Sequence, residues 1–156
     1  MDIKGFKNLL FTKAKNEGFS EYEIYYSEKK SFSVNIYKKQ IEKYQNSETS
    51  GFGFRGIYNG KMGYYYSETI DESIIPEVIA TAKINAELLE NDEKEFIFEG
   101  NSEYPKLNLY NSKLNELSAT DKIDLALKME QAAYNYDKRI TSVNTSLINT
   151  GDSSIY

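Results

Sequence analysis

The chain has 156 residues, 40% of them hydrophobic, a formal net charge of −5 at neutral pH, and no His, Cys or Trp. That length suits about one domain with one core, and an acidic balance argues against a general nucleic-acid binder. The missing residue types exclude a Ser-His-Asp triad, an imidazole base, disulfides, thiolate nucleophiles and any zinc site built from His or Cys, so a domain that binds or supports is expected rather than one that catalyses alone.

Ile3, Phe6, Leu10 and Ala14 recur at helical spacing, with Asp2 placed to cap the start and Gly18 to end the run, which predicts an amphipathic helix over 3–17. Five short strands are expected next, at 21–27, 31–37, 40–47, 51–58 and 61–66, each alternating apolar and polar residues except the more polar third. Asn59-Gly60 between two alternating runs predicts a tight hairpin, because a type I′ turn needs positive φ twice. Asp71 and Pro76 open a second helix whose stripe is Ile75, Val78, Ile79, Ala82, Ala86 and Leu89. Residues 91–117 lack periodicity, and a loop that long in a compact domain is usually functional or laid over another surface. Ser118 and Asp121 form a capping-box pattern for a third helix to Tyr136, and 139–148 returns to strand. The fold class expected is α/β of the α+β type. It is a two-layer sandwich: a mostly antiparallel sheet of about six strands with three helices on one side.

No apolar segment follows Met1-Asp2-Ile3-Lys4, and no run is long enough to span a membrane, so a cytoplasmic protein without membrane association is expected. Asn144-Thr145-Ser146 matches a glycosylation pattern by chance on this reading. The charge is uneven. Residues 1–45 hold nine Lys against six acids, whereas 68–104 hold two Lys against eleven acids. The acidic stretch is expected to be a solvated face.

Gly51-Phe52-Gly53-Phe54-Arg55-Gly56 spells G-x-G-x-x-G, but its glycines interleave with aromatics inside a strand and a hairpin follows, which is not the nucleotide-binding context. Glu21 and Glu23 share one strand face and could hold Mg²⁺ or Ca²⁺, as could Asp92, Glu93 and Glu95; solvated acids are the simpler reading. Arg55 and Arg139 are the only arginines, and Arg55, on an aromatic strand, is suited to a peptide carboxylate or to stacking on Tyr rings. The fourteen tyrosines are the oddest surplus. Tyr exposed on a sheet covers area at low entropic cost and keeps a polar handle, so a peptide or protein partner is expected. Arg55, Tyr64, Tyr66, Tyr44, Phe52 and Phe54 are the candidate contact residues; no residue is assigned a catalytic or metal-binding role.

Taken in order, several segments resemble the N-terminal domain of the TldD/PmbA family, bacterial and archaeal metalloproteases once described as modulators of DNA gyrase. They are Gly18-Phe19-Ser20-Glu21-Tyr22-Glu23-Ile24-Tyr25, Ser31-Phe32-Ser33-Val34, Gln40-Ile41-Glu42, Ser50-Gly51-Phe52-Gly53-Phe54-Arg55 and Asn59-Gly60-Lys61-Met62-Gly63-Tyr64. The Ala82/Ala86 helix ending near Asp92, Lys122-Ile123, Ala132-Ala133 and Asp137-Lys138-Arg139-Ile140 continue the match. The flavour is closer to PmbA (also called TldE) than to TldD. The resemblance implies a metal motif, H-E-x-x-x-H with a distant Cys, in a C-terminal domain of TldD-type subunits, and a metal-free PmbA-type partner that pairs with them. It implies zinc in that other domain and none in this chain. It further implies that this domain admits extended peptides and contributes to homo- or hetero-oligomer contacts with a TldD/PmbA-type subunit. Gly151-Asp152 is expected to begin a hairpin turn leading into a strand that Ser153-Ser154-Ile155-Tyr156 does not complete. Residues 1–156 are therefore expected to be a single N-terminal domain of a longer protein cut near Tyr156. A stand-alone Tyr-rich peptide-binding module and a carboxylate-metal hydrolase using Glu21, Glu23 and the acids of 92–103 are the rival readings.

Overall fold

The computed structural model describes residues 1–90, 93–101, 103, 105, 107, 109 and 111–155, with backbone only at 146, 150 and 152–155. Asp92 and Tyr156 therefore lie outside the described residues. The elements run α1 (Ile3–Asn16), β1 (Glu21–Tyr37), β2 (Gln40–Tyr58), β3 (Lys61–Ser67), α2 (Ile75–Leu88), α3 (Ala119–Tyr136) and β4 (Asn144–Ile155). The strands form one four-stranded sheet in the order β3-β2-β1-β4.

The class is the expected mixture of an antiparallel sheet with three helices, and the strand count is corrected from about six to four. The segments 21–27 and 31–37 are one strand, as are 40–47 and 51–58. Their links, Glu28-Lys29-Lys30 and Glu48-Thr49-Ser50, are polar and suggest turns by composition. Neither contains Gly, Pro or Asn, and a paired strand continues through polar residues as long as its ladder is satisfied. The last strand starts later than expected, at Asn144 rather than 139, because Asp137 binds the backbone and guanidinium of Arg139 in a turn first.

By contacts the chain divides into two compact units, one of Met1–Lys29, Thr49–Ser102 and Asp152–Tyr156, the other of Lys30–Glu48 and Glu103–Gly151. In the first unit, Phe6, Leu10 and Ala14 of α1 join Val78, Ile79 and Ala82 of α2 over Ile24, Tyr26, Phe52 and Phe54 of the sheet. Each buried Phe, Leu, Ile or Val contributes roughly 1.5–3 kcal/mol of transfer free energy. Asp2 caps α1 by accepting the Gly5 N–H at 2.8 Å. Gly63 fixes the seating of α2 on β3. A Cβ there would stand 1.9 Å from the Ala82 carbonyl oxygen, so only glycine permits this approach.

In the second unit, Phe32, Val34 and Ile36 pack with Ala126 of α3, flanked by Ile123, Leu127 and Leu147. Ser118 and Asp121 make the capping box that opens α3. The β1–β2 turn is made by Lys38 and Lys39, both at positive φ (51° and 62°), without the usual Asn or Gly. Glu130 of α3, fully buried, accepts the Lys39 N–H through Oε2 at 2.7 Å, and its Oε1 has no partner among the described residues.

Candidate functional site

The site is the face of the first unit's sheet that turns away from α1 and α2. Asn59 (φ 53°) and Gly60 (φ 79°) make the expected tight turn, which pairs Tyr58 with Lys61 and sets the whole β2–β3 register. Arg55 then stands opposite Tyr64, and Gly53 opposite Tyr66. Side chains alternate along a strand, so Phe52 and Phe54 point to the core while Gly53 and Arg55 point outward with Tyr64 and Tyr66. Tyr64 and Tyr66 are 62% and 65% exposed.

Of the six candidate contact residues, the structure thus brings Arg55, Tyr64 and Tyr66 together on one exposed face. Phe52 and Phe54 lie fully buried on the opposite face, where Phe52 packs edge-on against Phe6 and Phe54 against Phe19. Tyr44 belongs to the second unit, exposed, with its ring edge-on to Phe32 at 5.5 Å.

Arg55 is not a bare cation. Its Nε donates to Glu23 Oε1 at 2.6 Å and a terminal nitrogen pairs with the same oxygen. An incoming carboxylate would have to compete with Glu23. Glu21, next on that face of β1, accepts the Ile97 N–H at 2.6 Å. The paired-carboxylate metal reading therefore finds both groups engaged elsewhere. Among the described residues no three acids, His or Cys converge in a way that could hold a metal ion. The described residues do not fit a zinc site, because Glu and Asp alone would have to replace the usual imidazole and thiolate ligands and among those residues they are not gathered.

Residues 95–98 form a strap that sequence reasoning left as loop. Glu95 accepts the Met62 N–H at 2.6 Å, and Ile97 is the donor to Glu21, so two inward hydrogen bonds tie the strap down. The alternate residues Phe96 and Phe98 are 76% and 66% exposed. A shallow cavity of about 390 Å³ lies between Glu21 and residues 96–100. Asn85 of α2 donates to the Tyr64 carbonyl at 2.8 Å, so the outer edge of β3 carries a side-chain cap on a donor and another on an acceptor. Neither cap has a local signal in the sequence, since Glu95 and Asn85 are 33 and 21 residues from their partners.

Two further carboxylates support this unit. Glu17 receives Lys83 at 2.7 Å and Lys13 at 2.9 Å, and the two ammonium groups hold its carboxyl down at about 2. Tyr65 donates to Glu77 at 2.9 Å, and that negative acceptor raises the phenol above its ordinary value.

With a mixed α/β fold and an exposed aromatic sheet face in view, comparison with known proteins gives the class. The family model described as PmbA/TldA metallopeptidase domain 1 matches residues 22–86, and the one described as PmbA/TldA metallopeptidase central domain matches residues 112–156. The chain belongs to the PmbA/TldD metallopeptidase family. Its fold matches a candidate modulator of DNA gyrase from Thermotoga maritima, with a TM-score of 0.77 and 23% identity over 98% of this chain and 35% of the other. A second candidate modulator of DNA gyrase, from Bacteroides thetaiotaomicron, matches with a TM-score of 0.77 and 20% identity over 97% of this chain and 35% of that one. TldE from Thermococcus kodakarensis matches with a TM-score of 0.75 and 18% identity over 96% of this chain and 34% of its own. The chain thus spans about a third of the length of these solved structures. No curated protein sequence matches it. No described helix is long and apolar enough to cross a membrane.

Proposed function

We propose that this chain is the non-catalytic N-terminal part of a peptidase-family subunit, either the metal-bearing protease or its metal-free partner. On this reading it acts in the cytoplasm. Its role is to present extended peptides to chemistry carried elsewhere, with zinc in a C-terminal domain of the parent or partner, and to contribute to assembly with a TldD/PmbA-type subunit. The observation that carries the reading is the exposed row of Tyr64, Tyr66 and Arg55 on one sheet face. Tyr rings offer broad, sequence-tolerant contact, as a surface admitting many peptides requires. The peptide is expected to lie across this face rather than along the β3 edge, where Glu95 and Asn85 already occupy the Met62 N–H and the Tyr64 carbonyl.

The test is fluorescence anisotropy with labelled extended peptides of mixed sequence. Replacing Tyr64 and Tyr66 by Ala should weaken binding without moving the thermal midpoint. Unchanged binding in that variant would remove the surface from the proposal. Assembly is tested by co-elution with a TldD-type subunit in size-exclusion chromatography.

A further inference from the structure

We propose that the corner made by Tyr66 and Glu68 on the outer face is a subsite for a lysine or arginine side chain of an extended peptide. This rests on the peptide-surface reading above and names the substrate class it implies.

The molecule already seats one of its own lysines in this manner. Lys83 Nζ stands 4.9 Å from the centroid of the Tyr58 ring and 2.7 Å from Glu17 Oε2, an aromatic face combined with a carboxylate. A cation held by both gains the ring quadrupole and the opposite charge together. The same two groups recur at Tyr66 and Glu68, whose phenol and carboxylate are 3.5 Å apart, with no lysine between them. Among the described residues Glu68 makes no ion pair.

The backbone beneath is shaped for it. The Tyr66 ring leans over Gly51, where a Cβ would come within 2.8 Å of its hydroxyl, and the ring's remaining surface is left to solvent. At Gly53, the residue opposite Tyr66, a Cβ would meet nothing within 4 Å. That opening beside the ring accepts the aliphatic stem of Lys or Arg, which packs on apolar surface while its head reaches a charge.

Charge selects the occupant. The first unit carries sixteen Asp and Glu against nine Lys and Arg. The only arginine on this face, Arg55, is already neutralised by Glu23. An acidic side chain in the corner would face Glu68 directly, and a neutral one would add no charge partner to a carboxylate that accepts only from the Tyr66 hydroxyl among the described residues.

Binding of three short fluorescein-labelled peptides by the whole chain tests this: one alternating Lys and Ser, one alternating Glu and Ser, and one of Ser and Gly. The Lys peptide should bind tightest and weaken as salt rises. Glu68→Gln should weaken it about threefold while leaving the Ser/Gly peptide unchanged, and Tyr66→Leu should weaken the Lys peptide more than the Ser/Gly peptide. Gly51→Ala, whose methyl would press on the Tyr66 ring and stand 3.2 Å from the Ser67 carbonyl oxygen, should act like Tyr66→Leu. Equal binding of all three peptides, or an undiminished Lys preference in Glu68→Gln, overturns the subsite while the peptide surface stands. No binding of any peptide overturns both.

Discussion

Glu130 reaches from α3 to the β1–β2 turn and accepts the backbone N–H of Lys39 at 2.7 Å, from a position with no solvent exposure. The turn it holds is one that lysine adopts reluctantly, since Lys38 and Lys39 both have positive φ and neither is Gly or Asn. The carboxylate thus stabilises a strained turn while leaving one of its own oxygens unsatisfied.

From this relationship, Glu130→Ala should destabilise the fold by about 1 kcal/mol, because it removes the side-chain acceptor of the Lys39 N–H. Replacing Lys38-Lys39 by Asn-Gly should instead stabilise it by about 1 kcal/mol, by relieving the left-handed strain while keeping the N–H for Glu130. Urea unfolding of the two variants checks both signs. A loss of stability in the Asn-Gly variant would show that the turn is unstrained.

Two glycines in the same hairpin should behave oppositely. Gly63→Ala drives a methyl into the Ala82 carbonyl and should cost about 3 kcal/mol. Gly53→Ala meets open space and should stay within about 0.5 kcal/mol of the parent. Thermal melts distinguish them, and equal effects would contradict the close helix–strand approach.

The Glu17 carboxyl, held at about 2 by Lys83 and Lys13, predicts an acid dependence. Its folded value lies below the unfolded one, so its contribution is fully present above the unfolded value near 4.5 and is lost as pH falls toward about 2. Glu17→Gln should flatten the stability profile across that window and leave neutral pH less affected than Glu17→Ala. Denaturation midpoints collected from pH 5 downward measure it.

The Tyr65 phenol works in the opposite direction. Its hydrogen bond to Glu77 raises its folded value, so its contribution is complete below the ordinary tyrosine range and is lost as pH rises through the folded value. Spectrophotometric titration should find the Tyr65 phenol ionising above the ordinary tyrosine range, and Glu77→Gln should bring it back.

How much of this was legible in the sequence depends on the range of the interaction. The Asn59-Gly60 turn, the Asp2 cap and the Ser118–Asp121 capping box are local, and the residues that make them sit within a few positions of each other. Strand continuity through Glu28–Lys30 was not legible, because the pairing that sustains it comes from neighbouring strands rather than from those residues. Alternation separates Phe52 and Phe54 from Arg55, but does not say which face a helix covers, so all three are contact candidates on the sequence alone. The Arg55–Glu23 pair joins residues 32 apart, and no spacing rule points from one to the other.

The side-chain caps on β3 give the sheet a direction. An exposed strand edge invites another chain to continue its ladder, the first step of fibril growth. With the Met62 N–H and the Tyr64 carbonyl already engaged by Glu95 and Asn85, an arriving strand at that edge finds part of its hydrogen bonding taken. A stack of molecules joined edge to edge through β3 is thereby discouraged from starting.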